Sequence, residues 1–359
     1  MKRYLDFQRE AWADRTASHM RAARRNACVQ GIGGTPPCAG VIDTLPMDDL
    51  GALIAEGWVE VPHAPSDLLL RRSARRAMLS TLADDLDCLS MQEHTLVERM
   101  LIGDGQVVLD SVPELEAAYT LRMRLWCDLG HCGQTPCARL DAELMRRLPD
   151  LLMRPEHAQR RSRAFVFDGM ISGLLYITGF LDVRAPQQRF VREVLGVAES
   201  GASARLARNH LEASFDVDSV AGCRLLLHEA LAAPETLVST LAASGCQALP
   251  PLTSEQLFGA MNGMLPEEAA AAEKLCRTLQ GALRPDLTPE GATEDLRLLA
   301  KQDVPREALK QVMAGMLCVL PTPHMYSVLL EMAGSTPRWM HSWNDARTPA
   351  TGYAAGVLH

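Results

Sequence analysis

From about residue 138 to about residue 333 the chain sets helix-forming stretches between proline or glycine breakers, and this punctuation constrains the fold most. Pro155, Pro186, Pro234, Pro250-Pro251, Pro266, Pro285, Pro305 and Pro321 mark nearly every junction. Proline has no amide hydrogen for a helix interior, and its ring clashes with the preceding turn, so each one marks a stop or a first turn. The intervals predict helices at about 138–148, 156–181, 186–198, 201–213, 219–231, 235–244, 254–263, 266–282, 289–301, 305–319 and 323–333. Thr253, Thr288 and Asp303 stand where N-caps belong. Links of about two to six residues favour antiparallel neighbours. The expectation is a mainly α protein, a multi-helix bundle or stacked helical hairpins, with at most two short strands in the N-terminal third.

Composition supports helix. Leu, Ala and Met abound while aromatics make up only 5%, and the former are the stronger helix formers. Hydrophobic residues at 47% and charged residues at 22% give the balance of a globular chain. The 359 residues suffice for one large domain or two to three ordinary ones. Four segments are expected: 1–40, 41–150, 151–345 and an irregular 346–359.

The first segment reads as an amphipathic helix to about Ala27, closed by GIGGTPPCAG. Leu5, Trp12 and Met20 share a face, and Arg9, Arg21, Arg24 and Arg25 form a basic side. That side reads either as a solvated face or as an arm for an acidic partner, with Arg21 and Arg24 as its contacts. In 41–150, Thr44 can cap a helix beginning near Pro46, and Ser90 and Glu93 have capping-box spacing. WVEV at 58–61 and QVVL at 106–109 suit short strands. The order over 41–110 resembles a winged-helix unit, but no basic recognition helix stands out. A net charge of −8 also argues against a nucleic-acid partner.

Residues 164–181, AFVFDGMISGLLYITGFL, are the most apolar stretch. Asp168 and Asp182 leave the run short of the roughly 20 apolar residues a spanning helix requires. A buried central helix is expected, not an integral membrane protein, with Gly169 and Gly173 admitting a close neighbour. Asp168 then requires a partner that the sequence does not identify.

Four soft ligands fall within WCDLGHCGQTPC at 126–137: Cys127, His131, Cys132 and Cys137. Thiolate and imidazole are zinc's preferred donors, so this stretch is the candidate metal site, with zinc as the candidate cofactor. Its spacing is not that of a standard knuckle, and a polar loop with incidental thiols is the alternative. Asp84, Asp85 and Asp87 read as a solvated helix face, and the histidines as scattered. No GxxxxGK[ST], GxGxxG after a strand, HExxH or GxSxG occurs. EQLFGAMNGML at 255–265 echoes EALKQVMAGML at 307–317, but two copies do not establish a solenoid.

The ten cysteines, with no apolar export segment at the start, read as free thiols of the cytoplasm. Signal-independent secretion would leave the same pattern. The functional expectation is a helical interaction protein, an adaptor, chaperone or regulator that binds another protein. A metal- or thiol-dependent enzyme or sensor at 127–137 and a DNA-binding regulator at 41–110 are the alternatives.

Overall fold

The computed structural model describes residues 40–62, 66–132, 135–231, 233–244 and 252–339. The segment expected as an N-terminal helix with Arg21 and Arg24, and the tail from 346, lie outside the described residues. The described residues hold fifteen helices and six strands. They fall into two compact units.

One unit runs to Asp168 and resumes over Arg184–Phe215. Its elements are α1 (Val41–Thr44), α2 (Met47–Ala55), α3 (Asp67–Asp87), α4 (Met91–Ile102), β1 (Gln106–Val108), α5 (Val112–Met123), β2 (Cys127–Cys132), β3 (Thr135–Leu140) and α6 (Ala142–Leu152). The long α7 (Pro155–Thr178) begins here, and α8 (Arg184–Phe190), a single π turn (Val191–Leu195) and α9 (Gly201–Ser214) complete it. The strands form an antiparallel sheet in the order β1-β3-β2. Leu50, Met78, Leu86, Leu96, Trp126 and Leu144 centre the core. Arg71 from α3 anchors α1 by donating to the carbonyls of Ile42 and Leu45.

The other unit holds Gly169–Val183 and everything described from Asp216 onward. Here β4 (Phe180–Asp182), β5 (Asp216–Val220) and β6 (Cys223–Leu227) form a second antiparallel sheet in the order β4-β6-β5. Six helices follow: α10 (Pro234–Ser244), α11 (Ser254–Met261), α12 (Pro266–Leu279), α13 (Pro289–Lys301), α14 (Arg306–Met316) and α15 (Pro323–Ser335). Pro266, Pro289 and Pro323 open their helices, where a missing amide hydrogen costs nothing. Leu275, Leu296, Leu309, Met313 and Leu329 are fully buried between them.

The chain is thus mainly helical, but its strands are not confined to the N-terminal third. Residues 219–231, expected as a helix, contain most of the β5–β6 hairpin instead. Ala221 and Gly222 take φ of 50° and 78° between the paired Val220 and Cys223, which is the geometry of a two-residue hairpin turn. WVEV forms no strand. Trp58 is buried and its carbonyl accepts from Arg205 and from Asn209 at 2.7 and 2.9 Å. QVVL does supply β1, but its partner β3 lies outside 41–110. Thr253 and Thr288 cap as expected. Thr44 ends α1 instead of capping α2, and Pro305, not Asp303, precedes α14.

The apolar stretch lies within α7 and β4, with Phe167, Ile171, Leu175 and Ile177 buried. No helix among the described residues is long and apolar enough to cross a membrane. A Cβ on Gly169 or Gly173 would come within 2.9 or 3.0 Å of Met261. The two glycines therefore do admit α11 at close range.

Candidate functional site

The predicted metal-binding stretch is a β-hairpin. Pairing of Cys132 with Thr135 leaves only Gly133-Gln134 as the connection, whose own conformation lies outside the described residues. Strand alternation then separates the four ligands. Cys127 and His131 share one face of β2, and Cys127 is buried with its thiol donating to the Ala118 carbonyl. Cys132 lies on the opposite face, as does Cys137, which pairs with Gly130. The four do not converge. Among the described residues no group of three or more His, Cys, Asp or Glu is placed to hold a metal ion.

The acidic ADDLD run behaves differently from the solvated face its sequence suggests. Asp85 and Asp87 are buried, and both meet cations. Arg124, fully buried just after α5, donates from Nε to Glu93 Oε1 at 3.0 Å, from Nη1 to Asp85 at 3.4 Å and from Nη2 to the Cys88 carbonyl at 3.3 Å. Glu93 Oε2 also accepts the Ser90 amide at 2.8 Å, completing the capping box of α4. Burial pushes the Asp85 carboxyl up, against the pull of Arg124, Thr81 and Arg205.

Asp87 lies at the end of α3 and binds two side chains of α7. His157 Nδ1 is 2.7 Å from its Oδ1, and Arg160 donates to its Oδ2 at 2.7 Å. His157 stacks on His94 of α4, ring centroids 5.6 Å apart. Arg161 faces His94 Nε2 at 3.0 Å. A guanidinium can only donate, so that nitrogen accepts and the ring is the Nδ1–H tautomer. Burial, helped by Arg161 and His157, holds His94 down at about 4, which keeps this tautomer neutral at pH 7.

Asp168 finds its partner in α9. His210 Nε2 is 2.7 Å from Asp168 Oδ1, and His210 Nδ1 is 3.1 Å from the Cys88 carbonyl. Carboxylates and side chains from α3, α4, α7 and α9, with Arg124 after α5, therefore meet in one polar hub. Histidines that look scattered in sequence converge here. The hub's groups are directed at one another, and its chemistry is to lock helices together.

A smaller polar cluster lies in the other unit. Lys301 Nζ is 2.7 Å from Glu268 Oε1 with both side chains fully buried. Tyr176 donates its hydroxyl to Glu268 Oε2, and Lys301 sits 4.1 Å from the centre of its ring. His228 lies beside Tyr176 and Trp339, and burial with the Lys301 charge holds it at about 4.

The surface that remains distinctive is a rim formed by the end of α4, β1 and the start of α5. Ile102 is 87% exposed, Val112 52% and Val108 37%. Arg99 pairs with Glu114 and reaches the Val108 carbonyl, and the exposed Asp104 and Asp110 lie between the apolar side chains along the chain. β1 is also an edge strand of its sheet. No protein-family model, no curated protein and no solved structure matches the chain.

Proposed function

We propose that this chain is an interaction protein of the cytoplasm, an adaptor, chaperone or regulator whose rim around β1 binds an apolar segment of another protein. One observation carries the reading. Three large apolar side chains, Ile102, Val108 and Val112, stand exposed within eleven residues of chain, Val108 on the edge strand β1 and the other two on the helices that flank it. Burying them would gain about 25 cal/mol per Å² of apolar surface. The basic side carrying Arg21 and Arg24 belongs to the same proposal, as the contact for an acidic stretch of that partner.

A photo-crosslinking side chain at Ile102 of the full chain tests the reading in the cells that make it. Position 102 should trap one protein in near-stoichiometric yield, and the exposed position Glu199 should not. Val112→Glu should abolish the trapping, and charge reversal at Arg21 and Arg24 should weaken it. Equal trapping at both positions, or adducts between copies of this chain alone, would overturn it.

A further inference from the structure

The hairpin that fails as a four-ligand site holds two thiols together. Gly130 pairs with Cys137 and Cys132 with Thr135, so the two cysteines are diagonal neighbours on one face. The register therefore sets their side chains side by side. Gln106 of β1 reaches across to donate to Cys132 Sγ, and its own side-chain oxygen accepts from Arg139 at 2.6 Å. Both cysteines are free, Cys132 half-buried and Cys137 buried. An accessible thiol with a second, buried one beside it on the same face is the arrangement of a sensing and a resolving cysteine.

We propose that Cys132 and Cys137 form a reversible disulfide on exposure to peroxide, making this hairpin an oxidative modification site. In the first step Cys132 Sγ bonds to one peroxide oxygen, the O–O bond breaks, and the thiol's hydrogen leaves in a molecule of water. Cys132 is then a sulfenic acid. In the second step Cys137 Sγ bonds to Cys132 Sγ, the S–OH bond breaks, and the hydroxyl departs as water with the proton of Cys137. Two thiols lose one hydrogen each, and one peroxide is reduced to two waters.

Geometry makes the bond reversible. Diagonal cross-strand residues have Cα atoms about 7–8 Å apart, while a relaxed disulfide wants less than about 6.8 Å. Closing it draws the strand ends together, and the resulting strain favours reduction. Burial and the neighbouring thiol push Cys137 up to about 12, so closure should accelerate about tenfold per pH unit while only the thiolate fraction changes.

Trypsin leaves Cys127, Cys132 and Cys137 on one peptide, Leu125–Arg139. After the full chain is treated with hydrogen peroxide, that peptide should be lighter by two hydrogens, with fragmentation placing the bond between 132 and 137. A thiol reductant should restore it. In Cys137→Ser, Cys132 should stop at a sulfenic acid that dimedone traps; in Cys132→Ser, Cys137 should stay a thiol. The proposal is overturned if Cys132 and Cys137 stay fully alkylatable while exposed Cys223 and Cys318 oxidise. Passage of Cys132 to sulfinic acid beside an unreacted Cys137 would overturn it equally.

Discussion

Arg124 and Arg297 are both almost fully buried, one in each unit, and they differ in how their guanidinium nitrogens are met. Every nitrogen of Arg124 has an acceptor within 3.4 Å, supplied by Glu93, Asp85 and the Cys88 carbonyl. Arg297 donates to the Gly263 carbonyl from Nη2 at 2.7 Å and lies over the Tyr176 ring, while its Nε and Nη1 find no acceptor among the described residues. Desolvating a guanidinium is offset only where its donors are satisfied. The first arginine therefore ties helices together, and the second mainly fills space. Replacing each by methionine separates the two roles. Arg124→Met strands two buried carboxylates and should cost about 3–5 kcal/mol in urea unfolding. Arg297→Met removes two unmet donors and should change stability by about 1 kcal/mol or less. Equal losses would dissolve the contrast.

The two histidines held down by burial extend the comparison to pH. An unfolded histidine titrates near about 6.5, whereas His94 and His228 do so at about 4 in the folded chain. Between these values the unfolded chain binds more protons, so stability is fullest above about pH 6.5 and falls as acid is added toward pH 4. The fall should reach about 3 kcal/mol for each ring. Hydrogen exchange on peptides of each unit reads the two separately. His94→Gln should flatten the fall in the unit built around Arg124, and His228→Gln in the one around Lys301. A profile unmoved by either change would mean that other groups govern the acid response.

Packing in the second unit offers a smaller test. Gly173→Ala brings a methyl to 3.0 Å from the Met261 amide nitrogen and Cγ. Backbone cannot yield as a side-chain tip can, so the expected loss is about 1–3 kcal/mol, read as a lower unfolding midpoint. Replacing Met261 by alanine as well should not recover it, because the backbone contact remains.

Local rules were legible in the sequence and distant partners were not. Ser90 with Glu93, Thr253, Thr288 and the Pro266 that opens α12 act within a few residues of themselves, and each does what its spacing predicts. The partners of ADDLD lie far away, Arg124 39 residues beyond Asp85 and His157 70 beyond Asp87. No periodicity encodes such a meeting, and the same holds for Asp168 with His210, 42 residues apart. The cysteine stretch differs in kind. Its ligands looked close along the chain, but a strand sends alternate side chains to opposite faces, so nearness in number became separation in space.

The missed β5–β6 hairpin shows a weak turn outweighed by a strong apolar run. Leu225, Leu226 and Leu227 suit a buried strand as well as a helix, and only the turn could decide between them. That turn is Ala221-Gly222 in place of the Asn-Gly or Asp-Gly that marks such a hairpin, and Ala221 takes a left-handed φ of 50°. A Cβ makes that conformation unfavourable, whereas glycine adopts it freely. Ala221→Gly should thus stabilise the native hairpin, although it also loosens the unfolded chain. The two effects oppose, leaving a net gain of about 0.5–1 kcal/mol. Ala221→Asn separates them, since asparagine tolerates the left-handed region without glycine's extra freedom when unfolded. Both variants should raise the urea midpoint. A loss with both would place the strain of this unit somewhere other than its tightest turn.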